Sequence, residues 1–170
     1  MKADTEAMIR VDQAGEYGAT RIYAGQLAVM GNRDPAARAI AGMAAQEERH
    51  RKHFDALIIE RRVRPTLLAP LWNVAGYGLG MATAIMGPAA AMACTAAIET
   101  EIDRHYGEQL ETLGDSDPEL STAIADFRAE EVEHKATAMA SGAEQAFAFP
   151  VLTAAIRLGC RAAIALSKRV

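Results

Sequence analysis

The chain has 170 residues, 51% of them hydrophobic but only 5% aromatic, and a formal net charge of −4. That length fits one domain with a sizeable core, and the acidic balance argues against generic nucleic-acid binding. Most of the apolar bulk comes from helix formers and no stretch alternates with period two, so an all-α fold is expected. Cys94 and Cys160 are isolated; without a Cys-x-x-Cys there is no rubredoxin-type iron module or zinc knuckle, and two lone cysteines read as buried thiols in a reducing compartment. Met1-Lys2-Ala3-Asp4 leads straight into an acidic helix with no signal-peptide pattern, so the cytoplasm or the cytoplasmic face of a membrane is the expected compartment.

A first helix is expected over residues 4 to about 30, with Ile9, Asp12, Glu16, Tyr23 and Leu27 on its inward stripe. Gly31-Asn32 supplies a stop. Asp34-Pro35 is an N-cap followed by a first-position proline. The second helix then runs to about residue 62, with Ile40, Met43, Glu47, His50, Phe54 and Leu57 on one stripe. Residues 65–98 carry no charge, and Pro70, Gly76, Gly78, Gly80, Gly87 and Pro88 punctuate them. Crossing a membrane takes about 20 apolar residues. The two prolines break the run, so residues 65–88 read as an apolar connection lying at a membrane interface. A third helix follows over about 89–113, with Met92, Thr95, Glu99, Tyr106 and Leu110 on one face, and Gly114 stops it. Asp117-Pro118 caps a fourth, whose stripe is Ile124, Phe127, Glu131, His134 and Ala138. The last helix spans about 151–167. Arg157, Arg161 and Lys168 share one face and Leu152, Ile156, Cys160 and Ala163 another, a basic amphipathic pattern suited to anionic lipids.

The two halves repeat. Glu16, Tyr23 and Pro35 are offset from Glu99, Tyr106 and Pro118 by 83 residues, and Ile40, Glu47 and His50 from Ile124, Glu131 and His134 by 84. This is a duplicated helical hairpin, about 4–62 and about 89–147 in a single domain. A lone Glu-x-x-His is usually a solvated helix face. Here both copies fall inside apolar stripes, and each follows another inward glutamate by 31 or 32 residues. An unpaired buried carboxylate is costly, so the pattern points to a carboxylate-bridged dimetal site in a four-helix bundle. Four carboxylates and two imidazoles suit Fe or Mn better than Cu(I) or structural Zn. Asp12 and Asp103, one turn from Glu16 and Glu99, read equally as partners orienting an imidazole or as surface charges. Glu48, Glu130 and Glu133 read as surface charges and His53 as a surface residue; His105 is open. Tyr23 and Tyr106 lie near the site or serve as core packing.

These residues resemble the demethoxyubiquinone hydroxylase family of ubiquinone biosynthesis. The resemblance rests on Asp12-Gln-Ala-Gly-Glu16-Tyr-Gly-Ala, Ile22-Tyr-Ala-Gly-Gln26, Glu47-Glu-Arg-His50, Ala93-Cys-Thr-Ala-Ala-Ile-Glu99, His105-Tyr106, Glu130-Glu131-Val-Glu-His134 and Gly159-Cys-Arg-Ala-Ala-Ile164. It spans nearly the whole chain, although Glu-x-x-His alone is shared with ferritins and rubrerythrins. It implies a ferritin-like di-iron monooxygenase that uses dioxygen to hydroxylate a prenylated quinol at a membrane, with NADH or the quinol as electron source. By position, the implied metal ligands are Glu16, Glu47, His50, Glu99, Glu131 and His134, with Glu47 and Glu131 bridging. The connection between the third and fourth helices looks a few residues shorter than the family pattern. Lys135 stands where some members carry a second histidine, so that position receives no role.

A competing class is a ferritin- or rubrerythrin-like protein that oxidises iron or handles peroxide; such a protein would not need the uncharged stretch. Two coverings suit that stretch and the last helix: a membrane surface, or a partner subunit such as a second copy of the chain. An accessory lipid-binding protein that presents substrate is compatible with either.

Overall fold

The computed structural model describes residues 4–31 and 34–170, and all regular structure among them is helical. In chain order the helices are α1 (Thr5–Met30), α2 (Pro35–Glu60), α3 (Ala69–Ile85), α4 (Pro88–Leu113), α5 (Pro118–Ala140) and α6 (Phe149–Ser167), with a 3₁₀ turn at Ala143–Gln145. The duplicated signals act at equivalent places. Asp34 Oδ1 accepts from the amide of Ala36 at 2.7 Å, and Asp117 Oδ1 from that of Leu120 at 3.1 Å, so both second helices start on an aspartate cap with proline in the first turn. Gly31 and Gly114 end the first helices with φ of 66° and 48°, a conformation that disfavours side chains. Asn32, the other half of the expected stop, lies outside the described residues.

α1 packs against α2 and α4 against α5, and the two hairpins face one another to form the four-helix bundle. Tyr23, Ile40, Met43 and Ala90 to Ala93 build the core at one end. Ile9, Phe54, Tyr106, Leu120 and Ile124 build it at the other. Between the two, the inward positions are occupied by the acidic and histidine side chains described below.

The apolar connection differs from its expected form. It contains α3, a full helix lying along α1. Pro70 falls in the first turn of α3 and Pro88 in the first turn of α4, where a missing N–H costs nothing, so the prolines start helices and do not interrupt one. The glycines serve packing. A Cβ on Gly80 would collide with the carbonyl oxygen of Ile22 and lie 2.9 Å from its carbonyl carbon; one on Gly25 would collide with the carbonyl of Tyr77. The backbones of α1 and α3 therefore meet without side chains between them. α6 holds the corresponding place against α4, so each hairpin carries a third, apolar helix on its first helix. Gly80→Ala should destabilise the protein by about 1–3 kcal/mol through overpacking. Gly78→Ala, which meets nothing within 4 Å, should be neutral or stabilising by about 0.5–1 kcal/mol. Denaturant unfolding of the two variants measures the contrast.

Candidate metal centre

Residues three apart on a helix share a face. α2 thus directs Glu47 and His50 inward and α5 directs Glu131 and His134 inward, while α1 and α4 each add one carboxylate, Glu16 and Glu99. All six are at most 2% exposed. They form two overlapping groups, Glu16, Glu47, His50, Glu131 and Glu47, Glu99, Glu131, His134; within each group one donor atom per residue lies within 4.8 Å of the others. Glu47 and Glu131 belong to both. Glu131 reaches both imidazoles, Oε1 lying 3.1 Å from His50 Nδ1 and Oε2 3.1 Å from His134 Nδ1. Glu16 Oε2 is 3.5 Å from His50 Nδ1, and Glu47 Oε1 is 3.1 Å from His134 Nδ1.

The donor set fits a pair of divalent cations. Glu16 Oε2, both oxygens of Glu47, His50 Nδ1, Glu99 Oε2 and Glu131 Oε1 are buried without a hydrogen-bond partner, which in a native interior calls for an ion or a proton. Four carboxylates carry four negative charges when ionised, and two divalent cations balance them. Oxygen and imidazole donors suit first-row metals such as Fe and Mn. The protein alone accommodates the crowding by shifting protons. Burial, then repulsion from Glu131, raises the pKa of Glu47 and of Glu99 well above the ordinary carboxylate value. Burial also disfavours charge on Glu131, but the His134 and His50 imidazoles beside it hold it down at about 2. Burial likewise opposes a charged His50, yet its contacts with Glu131 and Glu16 lift it to about 10.

A second ring of residues orients the first. The Tyr23 hydroxyl donates to Glu99 Oε1 at 2.6 Å, and that of Tyr106 donates to Glu16 Oε1, so each tyrosine reaches the glutamate of the opposite hairpin. Burial and the adjacent glutamates keep both phenols protonated, far above their usual range. The Phe127 ring stacks on His50 with centroids 4.1 Å apart. Glu130 is not the surface charge expected from its neighbours: its Oε2 lies 3.1 Å from His50 Nε2 and accepts from Arg49 Nη2 at 2.9 Å. Gln46 Oε1 lies 2.6 Å from His134 Nε2, a residue that its sequence context does not single out. Glu48 behaves as expected, pairing with Arg51 and Lys52. Asp12 is buried beside His105, with Gln109 donating to it at 2.8 Å, so it holds a histidine outside the six; Asp103 pairs with Arg128 near the surface. His53 is half-buried against the edges of Phe54 and Phe127, not a surface residue.

Residues 3–167 match the family described as ubiquinone biosynthesis protein COQ7. The chain belongs to this family. Among curated relatives, a 3-demethoxyubiquinol 3-hydroxylase of Rhodospirillum rubrum is 54% identical over 165 residues, covering 97% of this chain and 78% of the relative. An NADPH-dependent 3-demethoxyubiquinone 3-hydroxylase, mitochondrial, of Mus musculus is 50% identical, covering 99% and 79%. A 5-demethoxyubiquinone hydroxylase, mitochondrial, of Saccharomyces cerevisiae is 40% identical, covering 97% and 78%.

Beside the cluster of this family member lies an apolar cavity of about 560 Å³ between α1, α3, α4 and α6. Gly15 and Ile98, which line it, are the chain neighbours of Glu16 and Glu99; Leu79, Trp72, Ile156 and Cys160 close it from α3 and α6. The burial expected for both cysteines holds for Cys94, while Cys160 is half-buried, and burial pushes both thiols up to about 12. The basic face of α6 also differs from its expected form. Arg157 and Arg161 are not free for lipid headgroups: with Arg104 they grip Glu101, a fully buried carboxylate on α4 that the sequence stripes do not mark. Burial resists charge on Glu101, but hydrogen bonds from Arg161, Arg157 and Arg104 hold its pKa down to about 2, against 4.5 ordinarily. A depressed carboxyl pKa contributes stability above the unfolded value that is lost as pH falls through the folded one. α6 should therefore loosen between about pH 4.5 and pH 2. The single tryptophan, Trp72, donates to Ser167 Oγ at 2.9 Å and reports the docking. Its emission should shift to the red over that interval, and Glu101→Gln should show the shifted emission at neutral pH without the acid step.

Proposed function

We propose that this chain is a di-iron monooxygenase that hydroxylates the ring of a prenylated demethoxyubiquinol, the penultimate step of ubiquinone biosynthesis. The observation that carries the reading is the buried pair of Glu/His groups sharing Glu47 and Glu131, in a chain about half identical to relatives named as demethoxyubiquinol hydroxylases. Glu47 and Glu131 would bridge the irons, Glu16 and His50 would complete one half, and Glu99 and His134 the other. When bound, the iron pair supplies dioxygen activation.

The chain's own residues do the rest. Tyr23 and Tyr106 each donate a hydrogen bond, to Glu99 and Glu16 respectively, which orients these carboxylates and offsets part of their negative charge. The apolar cavity takes the isoprenoid tail and excludes water, so the quinol ring is held at the Glu16 and Glu99 edge of the cluster. NADH or the quinol itself supplies electrons; the Mus musculus relative carries NADPH in its name, which supports the nicotinamide class. Replacing Glu131 by Ala should strip the iron and abolish hydroxylation while leaving the helical circular dichroism near that of wild type. In the wild type under labelled dioxygen, one labelled oxygen atom should enter the product ring. Label arriving from water would overturn the oxygenase reading.

Substrate this apolar is best collected at a membrane, and the protein is proposed to bind peripherally to the cytoplasmic face. α6 is long and apolar enough to cross a bilayer by length and composition, with only 6% of its most apolar stretch buried. The attachment to Glu101 holds it along the bundle, which favours lying in the interface over spanning. α3 and α6, which flank the cavity, both turn large apolar side chains outward, Val74 at 73% and Leu158 at 69% exposure among them. An accessory lipid-binding protein or a second copy of the chain would meet the same surface. Wild type should float with lipid vesicles, and Val74→Glu combined with Leu158→Glu should not; equal flotation of both would mean that another protein hands over the quinol.

A further inference from the structure

His50 and His134 both turn Nδ1 toward the carboxylate cluster and Nε2 away from it. With Nδ1 committed to the centre, Nε2 carries the proton and donates. The two Nε2 donors meet different groups. His50, on α2, donates to the Glu130 carboxylate of α5 at 3.1 Å; His134, on α5, donates to the Gln46 side-chain oxygen of α2 at 2.6 Å. Glu130 and Gln46 immediately precede Glu131 and Glu47, so they occupy the same position in the two repeats, 84 residues apart. Each hairpin holds the histidine of the other through this position. The repeat is thus symmetric in geometry and asymmetric in charge.

We infer that Glu130 and Gln46 are positioning residues that make the two halves of the centre electronically unequal. This rests on the di-iron reading above. A carboxylate draws the imidazole proton more strongly than a neutral amide does and leaves the ring the better electron donor. The metal held by Glu16 and His50 is then the more electron-rich, and the one held by Glu99 and His134 the less. Arg49 is anchored to the same Glu130 oxygen that accepts from His50, which fixes the carboxylate on the ring. Nothing comparable backs Gln46 among the described hydrogen bonds. An acceptor on Nε2 also fixes the tautomer, so neither residue is dispensable for geometry.

Mössbauer spectroscopy of the ⁵⁷Fe-loaded protein reads this directly. Wild type should show two distinct quadrupole doublets of equal area. Glu130→Gln places an amide on both histidines and should bring the doublets together while two irons remain bound at saturating Fe(II). It should also weaken iron binding by about tenfold in a chelator competition, the low end for loss of an outer partner. Gln46→Glu should likewise bring the doublets together, and the double exchange, Glu130→Gln with Gln46→Glu, should separate them again. That restoration is what a merely structural role would not produce. Doublets unchanged in Glu130→Gln with full iron content would overturn the inference and leave the di-iron reading standing. A wild type that binds no iron would overturn both.

Discussion

Four glutamates and two histidines enclosed between two helical hairpins impose the constraint on which this protein is built. Two like unit charges 4 Å apart repel by about 4 kcal/mol at an effective dielectric near 20, and the cluster packs its carboxylates at about that spacing. Such a group exists in a folded interior only with compensating positive charge or protons. Much of the surrounding architecture serves that need. Glu131 touches both imidazoles, the tyrosines bring neutral donors to the outer glutamates, and Phe127 covers one histidine ring. Apolar clusters seal both ends of the bundle.

The duplicated hairpin explains how one chain surrounds such a centre. Tyr23 of the first half reaches Glu99 of the second, and Tyr106 of the second reaches Glu16 of the first. Gln46 and Glu130 make the corresponding crossed contacts on the histidines. These exchanges tie the hairpins together at the cluster itself, so the bundle interface and the cluster rest on the same residues. The third helix of each half then closes the outer side. α3 lies directly on the α1 backbone through glycine, and α6 is fastened by arginines to Glu101. The two helices wall an apolar cavity whose lining includes Gly15 and Ile98, the chain neighbours of Glu16 and Glu99.

The helix period and the repeat were legible in the residues alone. Inward stripes at spacings of three and four, capped by Asp34-Pro35 and Asp117-Pro118, determined an all-helical bundle and which face of each helix points inward. The offsets of 83 and 84 determined that Glu16, Glu47 and His50 have counterparts in Glu99, Glu131 and His134. Only the tertiary structure decided what meets across helices. Spacing within one helix cannot say that Glu130, beside an inward glutamate, lies over a histidine 80 residues away, or that Glu101 draws in arginines from 56 and 60 residues further on. Nor did the proline- and glycine-rich stretch declare a helix. Its prolines are harmless only because they fall in first turns, and its glycines are needed only because α1 lies against them. A helix's own period is a local property of the backbone. Which neighbour its flanking residues face depends on how separate helices pack, and that is settled by long-range burial.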